Sequence, residues 1–250
     1  MGRQISVSEA AERLGVTSHR VRQRIKDGSL PAERVGNRWG IDEADLLPLL
    51  DGAKVGRPLS ERSAWAILDY ADSAPQAIAA LARLAPSERQ RAQERWRLIT
   101  THASDTDNGA GGARLLREML ANRAERQVLR ANTRDLPDLR TDARLVLSGL
   151  NDPRAGIAAG DVVEGYVTRA DLGHLVRDYL LIRAVGQSSR QQANVVLHAS
   201  IRSVTQPAPL LLIAADLADY RTPREESRVA EIINDLTATE RMWHDLGPDQ

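Results

Sequence analysis

Apolar residues near the start of the chain recur at helical spacing. Val7, Ala10, Ala11 and Leu14 sit at i, i+3, i+4 and i+7, one stripe of an amphipathic helix. Ser6 followed by Glu9 is a capping-box start, and Gly15 suits a left-handed stop. Thr17 then caps a second helix from Ser18 to about Asp27, closed by Gly28. Val21 and Ile25, four apart, turn inward against the first helix. Ser18, His19, Arg20, Arg22, Gln23 and Lys26 are left on or near the open side. Two short helices meeting at a glycine-centred turn form a helix-turn-helix.

Alternation follows. Leu30–Val35 and Arg38–Ile41 are short extended runs around Gly36-Asn37, the pattern of a β-hairpin, with Val35, Trp39 and Ile41 packed beneath it. Asp42 caps a third helix through Leu46, Leu47 and Leu50. Residues 51–58 carry two glycines and a proline and read as a linker.

Helical periodicity returns from Leu59 to Leu68, with Trp65 and Leu68 on one face, then near Ala77–Leu84 and over Ser87–Ile99. The third of these is rich in arginine (Arg89, Arg91, Arg95, Arg97) beside Glu88 and Glu94. It reads as a solvent face laced with opposite charges, the rival being a second phosphate-contacting helix. The polar stretch His102–Gly112 predicts a loop. Its Gly109, Gly111 and Gly112 match neither a P-loop nor a dinucleotide fingerprint. Beyond it the pattern mixes helices (Arg114–Glu125, Arg169–Arg177, Leu211–Tyr220, Pro223–Leu236) with strands (Gln127–Arg130, Arg144–Ser148, Val162–Val167, Tyr179–Ala184, Ala193–Ala199). A turn or short helix falls around Leu136–Thr141. The expected fold is α+β and mainly helical. It comprises a helix-turn-helix domain at 1–50, a linker at 51–58, a helical segment at 59–125, an α+β domain with a small sheet at 126–240 and a tail at 241–250.

Composition narrows this picture. Hydrophobic residues make up 42% of 250, enough for a core, but Phe is absent and aromatics are 3%, so Leu, Val, Ile and Ala must fill it. Without cysteine there is no disulfide, thiol nucleophile or cysteine metal site, which suits a reducing cytoplasm. No secretory h-region is visible, and the run Pro209–Ala215 is too short to span a bilayer. The 34 basic and 34 acidic residues cancel, which argues against general coating of nucleic acid but not against a local basic face. Thr17–Gly40 holds six basic residues against two acidic, a net +4. The charge is concentrated where the helix-turn-helix would face DNA.

The stretch 15–46 resembles the excisionase-type winged helix-turn-helix, related to the MerR DNA-binding domain. The likeness rests on Gly15-Val16-Thr17 at the turn, Gly28-Ser29-Leu30-Pro31-Ala32 after it, and Arg38-Trp39-Gly40-Ile41-Asp42 in the wing. The resemblance implies double-stranded DNA as partner, with the second helix in the major groove and the wing beside the backbone. Thr17, Ser18, His19, Arg20, Arg22, Gln23, Lys26, Arg34, Asn37 and Arg38 are the candidate contact residues. Arg20, Arg22 and Gln23 suit base or near-base contacts, while Lys26, Arg34 and Arg38 suit phosphates. The bland alternative is a solvated helix face. Arg24 departs from the family, which often has an apolar residue there. Its stem either crosses Trp39 or extends the phosphate face.

Segments 143–149, 164–167, 193–197 and 215–224 are similar to actinobacterial helix-turn-helix proteins whose C-terminal half resembles abortive-infection type antitoxins. That likeness implies a C-terminal domain that binds a cognate toxin or forms a homodimer. No catalytic residue, cofactor or metal is expected. Asp171, His174 and Asp178 share a helix face but read as a surface ladder, and G-x-S-x-G and kinase signatures are absent. The leading expectation is a cytoplasmic, autorepressing, antitoxin-like transcriptional regulator that is not an enzyme. The alternatives are a DNA-bending recombination accessory factor, or an enzyme with a C-terminal site testable at His174.

Overall fold

The computed structural model describes residues 4–14, 16–26, 30–35, 38–42, 45–46, 59–104, 110–158, 160–184 and 192–245. These fall into two compact units, one holding the described residues up to Leu46 and one holding those from Leu59 onward.

In the first unit β1 (Gln4–Ser6) leads directly into α1 (Val7–Leu14), and α2 (Ser18–Lys26), β2 (Glu33–Val35) and β3 (Arg38–Asp42) follow. The apolar stripe does what its spacing predicts. Val7, Ala10 and Ala11 are buried with Val21, Leu30, Ile41 and Leu46, and Leu14 and Ile25 pack at the edge. The strands form an antiparallel sheet in the order β1-β3-β2. Ile41 pairs with Ile5 in the middle of that sheet and is buried. Trp39 pairs with Arg34 nearer the hairpin tip and remains 37% exposed, so it does not pack beneath the hairpin as its alternation suggests. The Gly36-Asn37 turn, Gly15, Gly28, the linker at 51–58, and Leu47 and Leu50 of the third helix lie outside the described residues.

The second unit begins with α3 (Glu61–Tyr70), α4 (Pro75–Ala82), α5 (Pro86–Ser104) and α6 (Ala110–Met119). It continues with β4 (Glu125–Arg130), α7 (Leu136–Thr141), β5 (Val146–Leu147), β6 (Val163–Thr168), α8 (Arg169–Asp178), β7 (Ile182–Arg183), β8 (Val195–Ser200), α9 (Leu210–Ala218) and α10 (Pro223–Asp245). The five strands order as β5-β6-β8-β4-β7, with β6 and β8 parallel and the other pairs antiparallel. The architecture is mixed α+β and mainly helical.

Alternation along β8 builds two cores. Val195, Leu197 and Ala199 face a cluster with α7 and α8 that includes Leu136, Leu139 and Leu175. The opposite sheet face carries Tyr166 into a larger cluster with Trp65, Trp96, Leu116 and Ile233. The helices at 59–119 and those after the sheet thus share one core, within one unit. Helix α9 is apolar except for Asp216 and is buried from Leu211 to Ala218.

Several boundaries differ from those that periodicity predicts, each for a physical reason. Gly111 and Gly112 belong to α6, not to a loop. A Cβ on Gly112 would lie 2.8 Å from the Ala103 Cβ, so the glycine permits α6 to approach α5. Gly109 lies outside the described residues. Helix α6 ends at Met119 and not near residue 125, because the chain must turn to bring Glu125 into β4 beside β8. Strand β7 shortens to two residues after Leu180, whose φ of 49° breaks extended geometry. Strand β5 is confined to Val146–Leu147, and α10 runs on to Asp245.

Leu116 is fully buried on α6 within the larger cluster. Leu116→Ala should lower unfolding stability by about 2–5 kcal/mol. Urea denaturation followed by far-UV circular dichroism measures this, and a loss below about 1 kcal/mol would contradict the core assignment.

Candidate nucleic-acid interface and a buried polar cluster

One buried side chain sets the orientation of α2. Val21 has no exposed surface, and its backbone N–H donates to the Thr17 carbonyl at 3.2 Å. The Thr17 hydroxyl accepts from the Arg20 N–H at 3.3 Å, which caps the helix as the sequence predicts. In α1 the Ser6 hydroxyl plays the same part for Glu9 N–H at 3.2 Å, and the Val16 N–H closes the turn on the Ala11 carbonyl at 3.0 Å.

With Val21 turned inward, His19, Arg20, Arg22, Gln23 and Lys26 are exposed, as is Thr17, and Ser18 and Arg24 are half-buried. Arg20 Nη1 donates to Gln23 Oε1 at 3.0 Å, so two of the three expected base-contacting side chains already lie against each other. Arg34 is exposed on β2. Arg38 is a residue of β3 and its side chain lies outside the described residues, as does Asn37 altogether. No acidic partner is recorded for Arg20, Arg22, Lys26 or Arg34 among the described residues. Clustered cationic side chains attract a polyanion.

The second unit holds a polar cluster that sequence reasoning missed. Glu164 on β6, His198 on β8 and Asp216 on α9 are all buried. His198 Nε2 lies 3.1 Å from Glu164 Oε1 and 3.7 Å from Asp216 Oδ1, with its ring stacked on Tyr166 at 4.7 Å. Arg123, only 3% exposed, donates to Asp216 Oδ1 from Nη2 at 2.6 Å and from Nε at 3.1 Å. Its Nη2 also reaches Asp219 Oδ2 at 2.7 Å. Tyr166 donates to Asp216 Oδ1 at 2.8 Å, Ser148 to Asp216 Oδ2 at 2.5 Å, and Tyr220 to Glu164 Oε2 at 2.9 Å.

A ligand atom from each of Glu164, His198 and Asp216 lies within 4.8 Å of the others, close enough to surround a cation. The surrounding donors argue for a different role. Arg123, Tyr166 and Ser148 already occupy the Asp216 carboxylate, and the guanidinium would repel a metal ion there. The cluster is an interior ion-pair network whose members satisfy one another. Its signal in the sequence is a lone polar residue inside an apolar run: Glu164 in VVEGYV, His198 in VVLHAS and Asp216 in LLIAADLA.

Electrostatics follow from this packing. Burial pushes the Tyr166 hydroxyl well above its usual range, and burial followed by the neighbouring Glu164 does the same for Tyr220. Burial alone would raise the Asp219 carboxyl, but Arg123 outweighs it and holds the group low. Away from the cluster, the hydrogen bond from Arg144 lowers Asp142 to about 2. The expected surface ladder on α8 breaks into separate pairings. Asp171 meets the Thr168 hydroxyl, His174 meets Arg177, and Asp178 pairs with Arg144.

Residues 5–53 match the family described as a helix-turn-helix domain. No curated protein and no solved structure matches the chain. The first unit is a DNA-binding helix-turn-helix domain, with α1 and α2 as its two helices.

Two measurements probe the second unit. Asp216→Asn leaves Arg123 buried without its main counter-charge and should cost about 3–5 kcal/mol of stability. An unfolding midpoint equal to wild type would refute that role. Asp219 and Asp142 titrate lower folded than unfolded, so their stabilisation is present above about pH 4 and is lost as the pH falls through their folded values, about 2 for Asp142. Denaturation midpoints should therefore drop below about pH 4, and less steeply in Asp142→Asn.

Proposed function

We propose that the protein is a sequence-specific DNA-binding transcriptional regulator. The observation that carries this reading is α2, anchored inward by Val21 and presenting Arg20, Arg22, Gln23 and Lys26 to solvent within the matched helix-turn-helix region. In this reading α2 enters the major groove, where Arg20, Arg22 and Gln23 address base edges. Ser18, His19 and Thr17 lie at the helix entry, and Lys26, Arg34 and Arg38 meet phosphates. The β2–β3 hairpin acts as the wing, and Asn37 is a further candidate contact.

The second unit, in the same reading, engages a cognate toxin or a second copy of the chain, and the protein represses its own operon as an antitoxin. The sequence likeness of segments 143–149, 164–167, 193–197 and 215–224 to antitoxin-like proteins supports that finer assignment. The reading gives the chain a binding role, without catalysis, and places it in the cytoplasm with the chromosome.

A gel-shift titration with the gene's own upstream DNA tests the reader. One good bidentate base contact is worth about 1–3 kcal/mol. Arg20→Ala combined with Arg22→Ala should therefore weaken binding at least about tenfold and relax sequence preference. Lys26→Ala and Arg34→Ala should each reduce the salt slope by about 0.9 while leaving preference intact. Unaltered binding by the double variant would show that α2 is not the reading helix. Co-purification with the product of the adjacent gene tests the antitoxin assignment.

A further inference from the structure

We infer that the cavity between α3, α4 and the chain after β8 binds a small monocarboxylate with an apolar body, its head group taken by Arg83. The inference stands on the second unit alone and is independent of the DNA-binding reading.

The cavity has a volume of about 340 Å³. That lies at the small end of the roughly 300–1,000 Å³ common for ligand sites. A void of about 150 Å³ already admits benzene, so the space suits a short alkyl chain or one ring with a short arm. Its apolar lining comes from Trp65 and Ala66 of α3, Ala80 of α4, and Leu84 and Ile201. Trp65 and Ala66 are buried, whereas Ile201 is left 68% exposed. A ligand in the cavity would cover an isoleucine that the fold leaves in water.

The walls are held by the protein's own contacts. Trp65 donates from Nε1 to the Arg123 carbonyl at 2.9 Å. The Arg202 guanidinium stacks on the Trp65 ring at 4.0 Å and donates to both Asp69 oxygens, at 3.0 and 2.6 Å. Glu61 accepts from the Ile201 N–H at 2.9 Å, which pins the chain after β8 to α3. A site ordered in advance spares its ligand that cost.

Charge selects the head group. Glu61, Arg62, Asp69, Arg83 and Arg202 line the cavity, and all but Arg83 are already matched. Asp69 holds Arg202, Glu61 pairs with Arg169 of α8 at 2.9 Å, and Arg62 pairs with Glu88 at 2.9 Å. Arg83 is exposed, and its guanidinium has no hydrogen-bond or ion-pair partner among the described residues. The site therefore carries one surplus positive charge, which a single carboxylate cancels. The guanidinium fork can meet both oxygens of such a group. A doubly charged head would be repelled by Glu61 and Asp69, and a cationic one by Arg83.

Isothermal titration of the full chain with octanoate and with 4-phenylbutanoate tests this, beside octanol and octylamine as neutral and cationic probes. At least one carboxylate should bind one-to-one and more tightly than octanol or octylamine. Arg83→Gln, with its fold verified by circular dichroism, should weaken that carboxylate at least about fivefold and leave octanol unchanged. Ala80→Leu, which fills the space, should abolish binding. Amide chemical-shift changes on titration should gather at Ala66, Ala80 and Ile201. The inference is overturned if neither carboxylate binds, if octylamine binds as tightly, if folded Arg83→Gln binds like wild type, or if the shift changes lie elsewhere. Should Ala80→Leu fail to fold, Arg83→Gln and the chemical shifts decide. If sedimentation instead shows a dimer that Ile201→Ser dissociates, a second copy covers the cavity and the ligand assignment is wrong.

Discussion

Arg123 is an arginine with almost no access to water, and the second unit is arranged around keeping it paired. It follows α6, where the chain turns into β4, and its guanidinium reaches Asp216 on α9 and Asp219 beyond it. Asp216 in turn accepts from Tyr166 on β6 and from Ser148 after β5. A buried charge left alone costs several kcal/mol, so the elements supplying these partners must arrive together. Glu164 extends the same constraint, joining β6 to His198 on β8 and to Tyr220 after α9. Gly149 belongs to this constraint too. Its φ is +54°, and a Cβ there would fall 2.1 Å from the Glu164 carboxylate.

The first unit solves a smaller problem with simpler means. A few aliphatic residues, Ile5, Val7, Val21, Leu30 and Ile41 among them, hold two short helices against a three-stranded sheet. Local caps at Ser6 and Thr17 satisfy N–H groups in the first turns of both helices. This economy leaves the remaining face of α2 free of structural duties, which is why a row of cationic and amide side chains can be presented there. The two units thus divide the work of the chain. One is a compact helix-turn-helix unit. The other is a larger body whose interior carries a buried network of charged and polar side chains.

Where side-chain periodicity and local capping dominate, the chain was legible residue by residue. The inward turn of Val21, the caps at Ser6 and Thr17, and the alternation along β8 follow from rules that act within a few residues. Trp39 marks the limit, because its exposure depends on its distance along the hairpin and not on its alternation. Gly111 and Gly112 mark another. Glycine serves loops and close helix contacts equally well, and only the position of Ala103 in space tells them apart. The acids of α5 show the same limit in electrostatics, since Glu88 pairs with an arginine 26 residues earlier in sequence.

The sequence by itself determined a helix-turn-helix at the start, the cationic composition of its second helix, and the α+β character of the rest. Each of these depends on neighbours within about one helical turn or one hairpin. Only the tertiary structure decided which polar residues become interior. Arg123, Glu164, His198 and Asp216 lie far apart in the chain and read singly as charged residues in apolar surroundings. Their burial becomes tolerable only when β6, β8, α9 and the turn after α6 converge, because a charge is stable away from water only beside its partner.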